Sequence, residues 1–567
     1  MDDPSSLPSS LSHFAPGSEP PGATFPADFA DEFARPEAYN KHLYRPNTYL
    51  HKWWARRCGG TFRFILKHLV QDPARRDYYL PGGLEGKIIL DPLLGCGTTL
   101  HEAIRLGANV IGADIDPIPV LQARATLSPV PLAELERAFA MFMEELSRRL
   151  SPYFQTSCPE CGRPTPLIYT LHGQEQACGC GAAVIIDSAV LRNQSDGSQI
   201  VISRQCGRVH TVRGPEDDHA CPGGRSGPTI REKRTRVCPD CAEPLRERRE
   251  LPYHARFAPL AIAGRCPAHG FFVRTRSPAD LELMRRADQL RPHLASKPAD
   301  FVVVPGPKSG DLINHGVGTY LDLFSSRQLL YLSTAVELLG QLDRLTRLHL
   351  GLLVSTSAEF NSMLCGYKGG SRRRPGAICH TFSLHAYSFP FTALENNPVY
   401  PGRTSGSLEG LFHRRIRRAC QWAAQPTERI IRDGKAVGVV PIWGEVDAGC
   451  EVHRPAELAA ETRRFRLIQR SSVHLDLEPG SVDHIVTDPP YLDNVQYGDL
   501  SAFFRLRLRR LLPGEATWDY DLSESAVEQP GDGSTQYERV LGAILAECRR
   551  VLKPTGRLVF TFHHWSP

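Results

Sequence analysis

The chain has 567 residues, 41% hydrophobic and 23% charged, which is enough for two or three domains and has the balance of a globular protein. Its net charge of +5 permits a polyanionic partner without requiring one, so the placement of the basic residues has to decide. No run of about 18 apolar residues occurs, and the opening MDDPSSLPSS is acidic and rich in Ser and Pro; neither a membrane span nor a secretory leader is expected, and a cytoplasmic location is.

Residues 1–36, rich in Pro, Ser, Gly and Ala, are expected to be disordered. From Tyr39 to Val70 aromatic and basic residues mix, HKWWARR among them, and the stretch ends in a helical pattern. Residues 87–90 read as a strand, 91–97 as a Gly-rich turn, 98–106 as a helix and 109–113 as a second strand closed by Asp114. That is the β-turn-α-β opening of a parallel sheet. An amphipathic helix over 130–150 leads away from it.

Nine of the sixteen cysteines fall between Cys158 and Cys266, and clustered cysteines in a chain without a leader read as metal ligands. Cys158 and Cys161 with Cys178 and Cys180 resemble a zinc ribbon; Cys238 and Cys241 with Cys266 and His269 form a second plausible set. Cys206 and Cys221, near His210 and His219, could complete either set or form a third, so the pairing stays open. One or two structural zinc ions are expected, because a small β-rich insert with little core needs such a staple.

A mixed region runs to about residue 465, with helical stretches at 320–350 and 408–424. Its loop at 366–376 carries Lys368, Arg372, Arg373 and Arg374, and the second helix carries Arg414, Arg415, Arg417 and Arg418. Flexible cationic groups suit phosphate contacts. Strand signals return at 482–487 and 557–562, with a helix at 536–552 between them. One sheet is therefore expected to be split by a long insertion: residues 37–150 and 465–567 are its two parts, 151–280 a zinc-ribbon insert, and 281–464 a target-recognition and DNA-binding region.

Two motifs carry chemistry. The first, Asp91-Pro92-Leu93-Leu94-Gly95-Cys96-Gly97-Thr98-Thr99, lacks the Lys-Ser/Thr pair of a phosphate loop and the third Gly of a nicotinamide fingerprint. An acidic residue closing the strand before G-x-G suits a cationic sulfonium amino acid, with Asp91 on its ammonium group. Asp114, with Asp116 as the near alternative, can accept from ribose hydroxyls. The second motif is Asp488-Pro489-Pro490-Tyr491. A nucleobase amino group is a poor nucleophile; the Asp488 carboxylate and the Pro489 carbonyl can accept its hydrogens and localise its lone pair, the prolines hold those acceptors in place, and Tyr491 offers a face for stacking.

The pair DPLLGCGTT and TDPPY resembles the two signature motifs of the amino-methyltransferases acting on DNA adenine N6 or cytosine N4. YLDNVQYGDLSAFF and HKWWARR resemble segments of the large bacterial adenine-specific DNA methylases with an inserted zinc ribbon. The resemblance spans about 40–125 and 465–565. It implies an α/β, doubly wound, Rossmann-like class I methyltransferase sheet, S-adenosylmethionine as cofactor, double-stranded DNA as substrate, and partner proteins of a defence or modification system. Carried over, Asp91, Pro92, Gly95, Gly97, Thr98 and Asp114 would hold the cofactor, with Lys52 and Trp53 from the segment before. Asp488, Pro489, Pro490 and Tyr491 would form the catalytic corner, and Asn494 and Tyr497 would follow it. A leading Asp favours adenine over cytosine; cytosine N4, an RNA base, or a DNA-binding protein with a decayed methylase stay open. The chain stops after the fifth expected strand, where such a sheet normally has two more; either the sequence is a fragment or the sheet is completed unusually.

Overall fold

Runs such as Ile89-Leu90, Val110-Ile111 and Ile485-Val486 are apolar at both alternating positions, the pattern of strands covered on both faces. The computed structural model, which describes residues 27–204, 206–213, 230–232, 236–238, 241–294, 298–369, 376–492, 495–527 and 534–562, places them in one sheet. Its strands are β1 (Ile88–Asp91), β2 (Asn109–Asp114), β3 (Cys450–Glu451), β4 (Arg464–Gln469), β5 (Val482–Thr487) and β6 (Leu552–Phe560). Their spatial order is β3-β4-β2-β1-β5-β6, and every pairing is parallel.

Helices cover both faces. Ile89, Val110, Phe465 and Val486 pack with the helices Gly59–His68, Thr98–Arg105 and Pro117–Leu127. Leu90, Ile111 and Ile485 pack with Val540, Ile544 and Val551 of the helix Thr535–Val551. The sheet is thus split as expected, but the short edge strand β3 and the start of β4 fall inside the stretch assigned to target recognition.

A second, mostly antiparallel sheet is built on the strand Pro164–Cys178. It pairs with Phe257–Cys266 on one side and Thr392–Asn396 on the other. The sheet therefore runs across the expected boundary at residue 280. Leu167, Ile262 and Ala393 from it share a core with the helices Leu132–Leu150, Ser326–Leu339, Arg344–Ser357 and Tyr497–Leu511. Of the stretch expected to be disordered, residues 27–36 lie in the helix Ala27–Tyr39, whose Phe33 packs on Tyr78; the rest lies outside the described residues. Among the described residues no helix is long and apolar enough to cross a membrane.

The hairpin Thr427–Arg432 and Lys435–Pro441 is fastened to the first part of the parallel sheet by buried charge. Glu428 accepts from Arg45 at 2.8 Å, Arg105 at 2.7 Å and Tyr78 at 2.7 Å, and Glu445 accepts from Arg63 at 2.8 Å. Burial alone would raise Glu428, but Arg45 and Arg105 hold it well below the usual carboxylate range. His101 Nδ1 meets Asp447 at 2.9 Å. The last part of the intervening segment is thereby locked to the helix that follows the first motif.

Candidate functional site

In a parallel sheet adjacent strands end on the same edge. β1 ends at Asp91 and β5 at Thr487, and Thr487 Oγ1 donates to Asp91 Oδ1 at 2.7 Å. Chain order reverses between these strands, with β2 beside β1 on one side and β5 on the other, and open α/β sheets bind ligands at such a point. A cleft opens there. Asp91, Pro92, Gly95 and Thr98 line it from the first motif, Asp114 from the end of β2, Asp488 and Pro490 from the second motif, and Trp53 and Arg57 from the segment before the first.

The loop between β1 and the helix Thr98–Arg105 turns through two left-handed residues, Gly95 at φ +50° and Gly97 at φ +79°. Gly97 donates to Leu94 O at 2.8 Å and caps the helix; it is part of the turn and does not line the cleft. Gly95 donates to Asp114 Oδ2 at 2.9 Å, which ties the ends of β1 and β2 together. Burial pushes Asp91 up to about 6 and Asp114 up to about 7. Asp116 instead holds structure in place. It caps the helix Pro117–Leu127 through Ile118 N at 2.9 Å and accepts from Ser501 at 2.5 Å and Tyr520 at 2.7 Å.

Asp488 is fully engaged. Arg57 Nε and Thr561 Oγ1 donate to it, and Tyr491 OH donates at 2.9 Å. The Arg57 guanidinium also lies 5.5 Å from the Tyr491 ring centroid, and Phe562 meets that ring edge-on at 6.2 Å. Burial and the Asp488 charge push the Tyr491 phenol up to about 12. The ring expected to be open for stacking is therefore covered by Arg57, and neither Tyr491 nor Pro489 lines the cleft. Tyr537 OH donates to Pro490 O at 3.0 Å and steadies the loop. Trp53 stacks on Tyr497 at 5.3 Å and 16°, walling the cleft. Asn494 lies outside the described residues.

Lys52 does not line this cleft. Its ammonium pairs with Glu359 at 2.8 Å and lines an adjoining cleft, because its neighbour Trp53 takes the position facing Gly95. Lys368 is exposed at the end of the strand Gly366–Tyr367; Arg372, Arg373 and Arg374 lie outside the described residues. Sequence reasoning gave no role to Arg57, Thr561 or Tyr520. The only signal for Arg57 was its place in HKWWARR.

Two further clusters join the eight expected metal ligands in a different pairing. Cys158, Cys161, Cys266 and His269 form one, and Cys178, Cys180, Cys238 and Cys241 the other, with all ligand atoms of a set within 4.8 Å of one another. Separations such as 3.8 Å for Cys161–Cys266 and 3.6 Å for Cys180–Cys238 match the roughly 3.7 Å edge of a tetrahedron with metal–sulfur bonds near 2.3 Å. The expected sets are corrected because residues 164–178 form one extended strand, spanning roughly 45 Å at 3.3 Å per residue. That strand carries the first two pairs to opposite ends. Antiparallel pairing with Phe257–Cys266 returns Cys266 to the first end, and Arg246↔Ala177 pairing brings Cys241 to the second. Cys206 Sγ lies 3.6 Å from His210 Nε2, outside both clusters; Cys221 and His219 lie outside the described residues. Four protein ligands per cluster suit a structural ion and leave no open position for catalysis.

No protein-family model, curated protein or solved structure matches the chain.

Proposed function

We propose that the chain is an S-adenosylmethionine-dependent methyltransferase acting on the exocyclic amino group of a flipped DNA base, adenine N6 in the first instance. The observation that carries the reading is the Thr487–Asp91 hydrogen bond, which puts the G-x-G loop and the DPPY corner on one cleft. The strand order supports the Rossmann-like form of the sheet: apart from the short β3, it runs third-second-first-fourth-fifth in chain order.

The residues present fit the cofactor. Two buried carboxylates whose ionised forms are disfavoured, Asp91 and Asp114, suit a cationic amino acid with ribose hydroxyls. Gly95 leaves the backbone open to close approach. When bound, S-adenosylmethionine supplies an electrophilic methyl group on a sulfonium. Asp91 takes the ammonium end and Asp114 the ribose. Asp488 and the Pro489 carbonyl accept the hydrogens of the base's amino group, and both prolines hold φ near −65° so that the acceptors are preset. Arg57 has to give up Asp488 and uncover Tyr491 as the base enters. Stacking on Tyr491 then returns roughly 1–3 kcal/mol of the few kcal/mol that extrusion costs.

The test is methyl transfer from labelled S-adenosylmethionine to duplex DNA and to tRNA, with digestion to nucleosides. N6-methyladenine in DNA is the expected product. Cytosine N4 as acceptor corrects the base, transfer to RNA alone overturns the DNA reading, and failure to bind S-adenosylmethionine while DNA is bound leaves a DNA-binding protein with a decayed methylase.

A further inference from the structure

We propose that the cleft adjoining Trp53 binds the phosphodiester backbone of the nucleic-acid strand whose base enters the first cleft; its occupant rests on the function proposed above. This second cleft shares Trp53 with the first. Lys52, Arg56, Arg414, Arg415 and Arg418 line it, and no Asp or Glu does.

The charge is largely uncompensated. Glu359, behind the wall, takes Lys52 at 2.8 Å and Arg415 at 3.4 Å, with His380 at 3.4 Å. Among the described residues Arg56, Arg414 and Arg418 have no carboxylate partner. Arg414 reaches only the Thr404 carbonyl, at 3.3 Å. Arg56 is the telling case. Its guanidinium lies over Tyr44 at 4.9 Å and Tyr49 at 4.3 Å, and its buried Nε has no acceptor. Burial, with the nearby Arg415 charge, works against its ionised form. Trp54 Nε1, on the same cleft, is likewise buried without an acceptor. Two buried donors and three unpaired guanidinium groups call for anionic oxygens, and the planar arginine fork matches phosphate.

The aromatic lining of the cleft, with Tyr44, Tyr49, Trp54 and Phe360, favours a strand over a small anion. Cations tracking a backbone beside flat apolar faces are the design of single-strand channels. Arg414 and Arg418 share one face of a segment whose turn His413–Arg417 is π-helical, a distortion common at binding sites. Trp53 lines both clefts, so the second lies directly beside the first.

The test uses the full chain and a labelled oligonucleotide, single-stranded or duplex, titrated by anisotropy at several salt concentrations. The double variant Arg414→Ser, Arg418→Ser removes two exposed side chains and is not expected to disturb folding; Arg56→Gln is measured beside it. Each arginine removed is expected to lower the salt slope on single strands by about 0.7, with S-adenosylmethionine binding unchanged by calorimetry. An unchanged slope in the double variant overturns the proposal, as does absence of oligonucleotide binding by the parent chain. Displacement of the oligonucleotide by inorganic phosphate at equal phosphate concentration would also overturn it, marking a small-anion site. RNA bound in place of DNA with the same arginine dependence upholds the phosphodiester site and overturns the DNA reading. A parent chain that binds oligonucleotide through these arginines but not S-adenosylmethionine upholds this site and sinks the methyl-transfer reading.

Discussion

Arg57 donates to Asp488 across 431 positions of sequence, and the same guanidinium lies over the ring of Tyr491. The acidic corner and its aromatic neighbour are thus held by one side chain from the segment before the first motif. On the proposed function a base's amino group and Arg57 would compete for the same carboxylate. Exchange of a charge-assisted hydrogen bond of about 1.5–3 kcal/mol is at stake, so Arg57→Ala is expected to lower KM for DNA severalfold. Steady-state kinetics over a range of DNA concentrations reads this, and a raised KM would show that Arg57 assists binding of the base.

Asp488→Ala removes the acceptor itself. Methyl transfer is expected to fall by about 10²–10³-fold or more, the loss typical of one preset polar group. S-adenosylmethionine affinity should stay within a few-fold, because Asp91 and Asp114 are untouched. Single-turnover assays paired with calorimetry separate the two; turnover that survives would remove Asp488 from the chemistry.

Cofactor binding is expected to depend on pH. With the free carboxylates at about 6 for Asp91 and about 7 for Asp114, both are ionised above pH 7, Asp91 then available to the ammonium group and Asp114 as an acceptor to the ribose hydroxyls. Below that, binding has to displace protons, and affinity is expected to fall by up to tenfold per pH unit for each group protonated. The same raised values mean that the free folded chain holds these protons more tightly than the unfolded one. Its own stability therefore drops as pH rises from about 4 to 7. The thermal shift produced by S-adenosylmethionine should accordingly be larger at pH 8 than at pH 5.5, and an equal shift at both would count against the two aspartates as ligands.

The interleaved metal clusters can be checked by zinc content in double variants. Cys161→Ser and Cys266→Ser fall in one cluster, so combining them should release no more zinc than either alone. Cys161→Ser with Cys238→Ser touches both clusters and should release twice as much. Twofold release from the Cys161→Ser, Cys266→Ser variant as well would restore the pairing by sequence neighbours.

Glu428 is buried among Arg45, Arg105 and Tyr78. Glu428→Ala leaves two buried guanidinium groups without that partner, and a loss of about 3–5 kcal/mol is expected. An earlier first transition in urea, followed through Trp422, which lies under both arginines, reads it directly.

The ends of the chain were legible and the middle was not, for physical reasons. The strand 482–487 and the β1-turn-helix-β2 unit announce themselves by local pattern, and their convergence follows from parallel pairing. The helix Pro117–Leu127 shows no amphipathic stripe because it is buried on almost every side, from Pro117 and Ile118 to Leu127. Cysteine spacing located the metal ligands but not their partners, since pairing is set by how far residues 164–178 extend. Lys52 lies outside the first cleft because adjacent residues in an extended stretch face opposite ways, and Trp53 took the inward one. Arg57 carries no local pattern at all; its role exists only once Asp488 is beside it.

The sheet's split also sets a timetable for synthesis. Arg464 N donates to Asn109 Oδ1 across 355 positions, so β2 waits for its outer neighbour β4 until that much more chain has been made. At about 5–20 residues per second the wait is roughly 20–70 s. Throughout it, β1 and β2 stand with open edges and apolar faces, a sticky half-product on the ribosome. Chaperone demand should therefore track the length of the intervening segment, and shortening that segment should ease production of native protein in the cell.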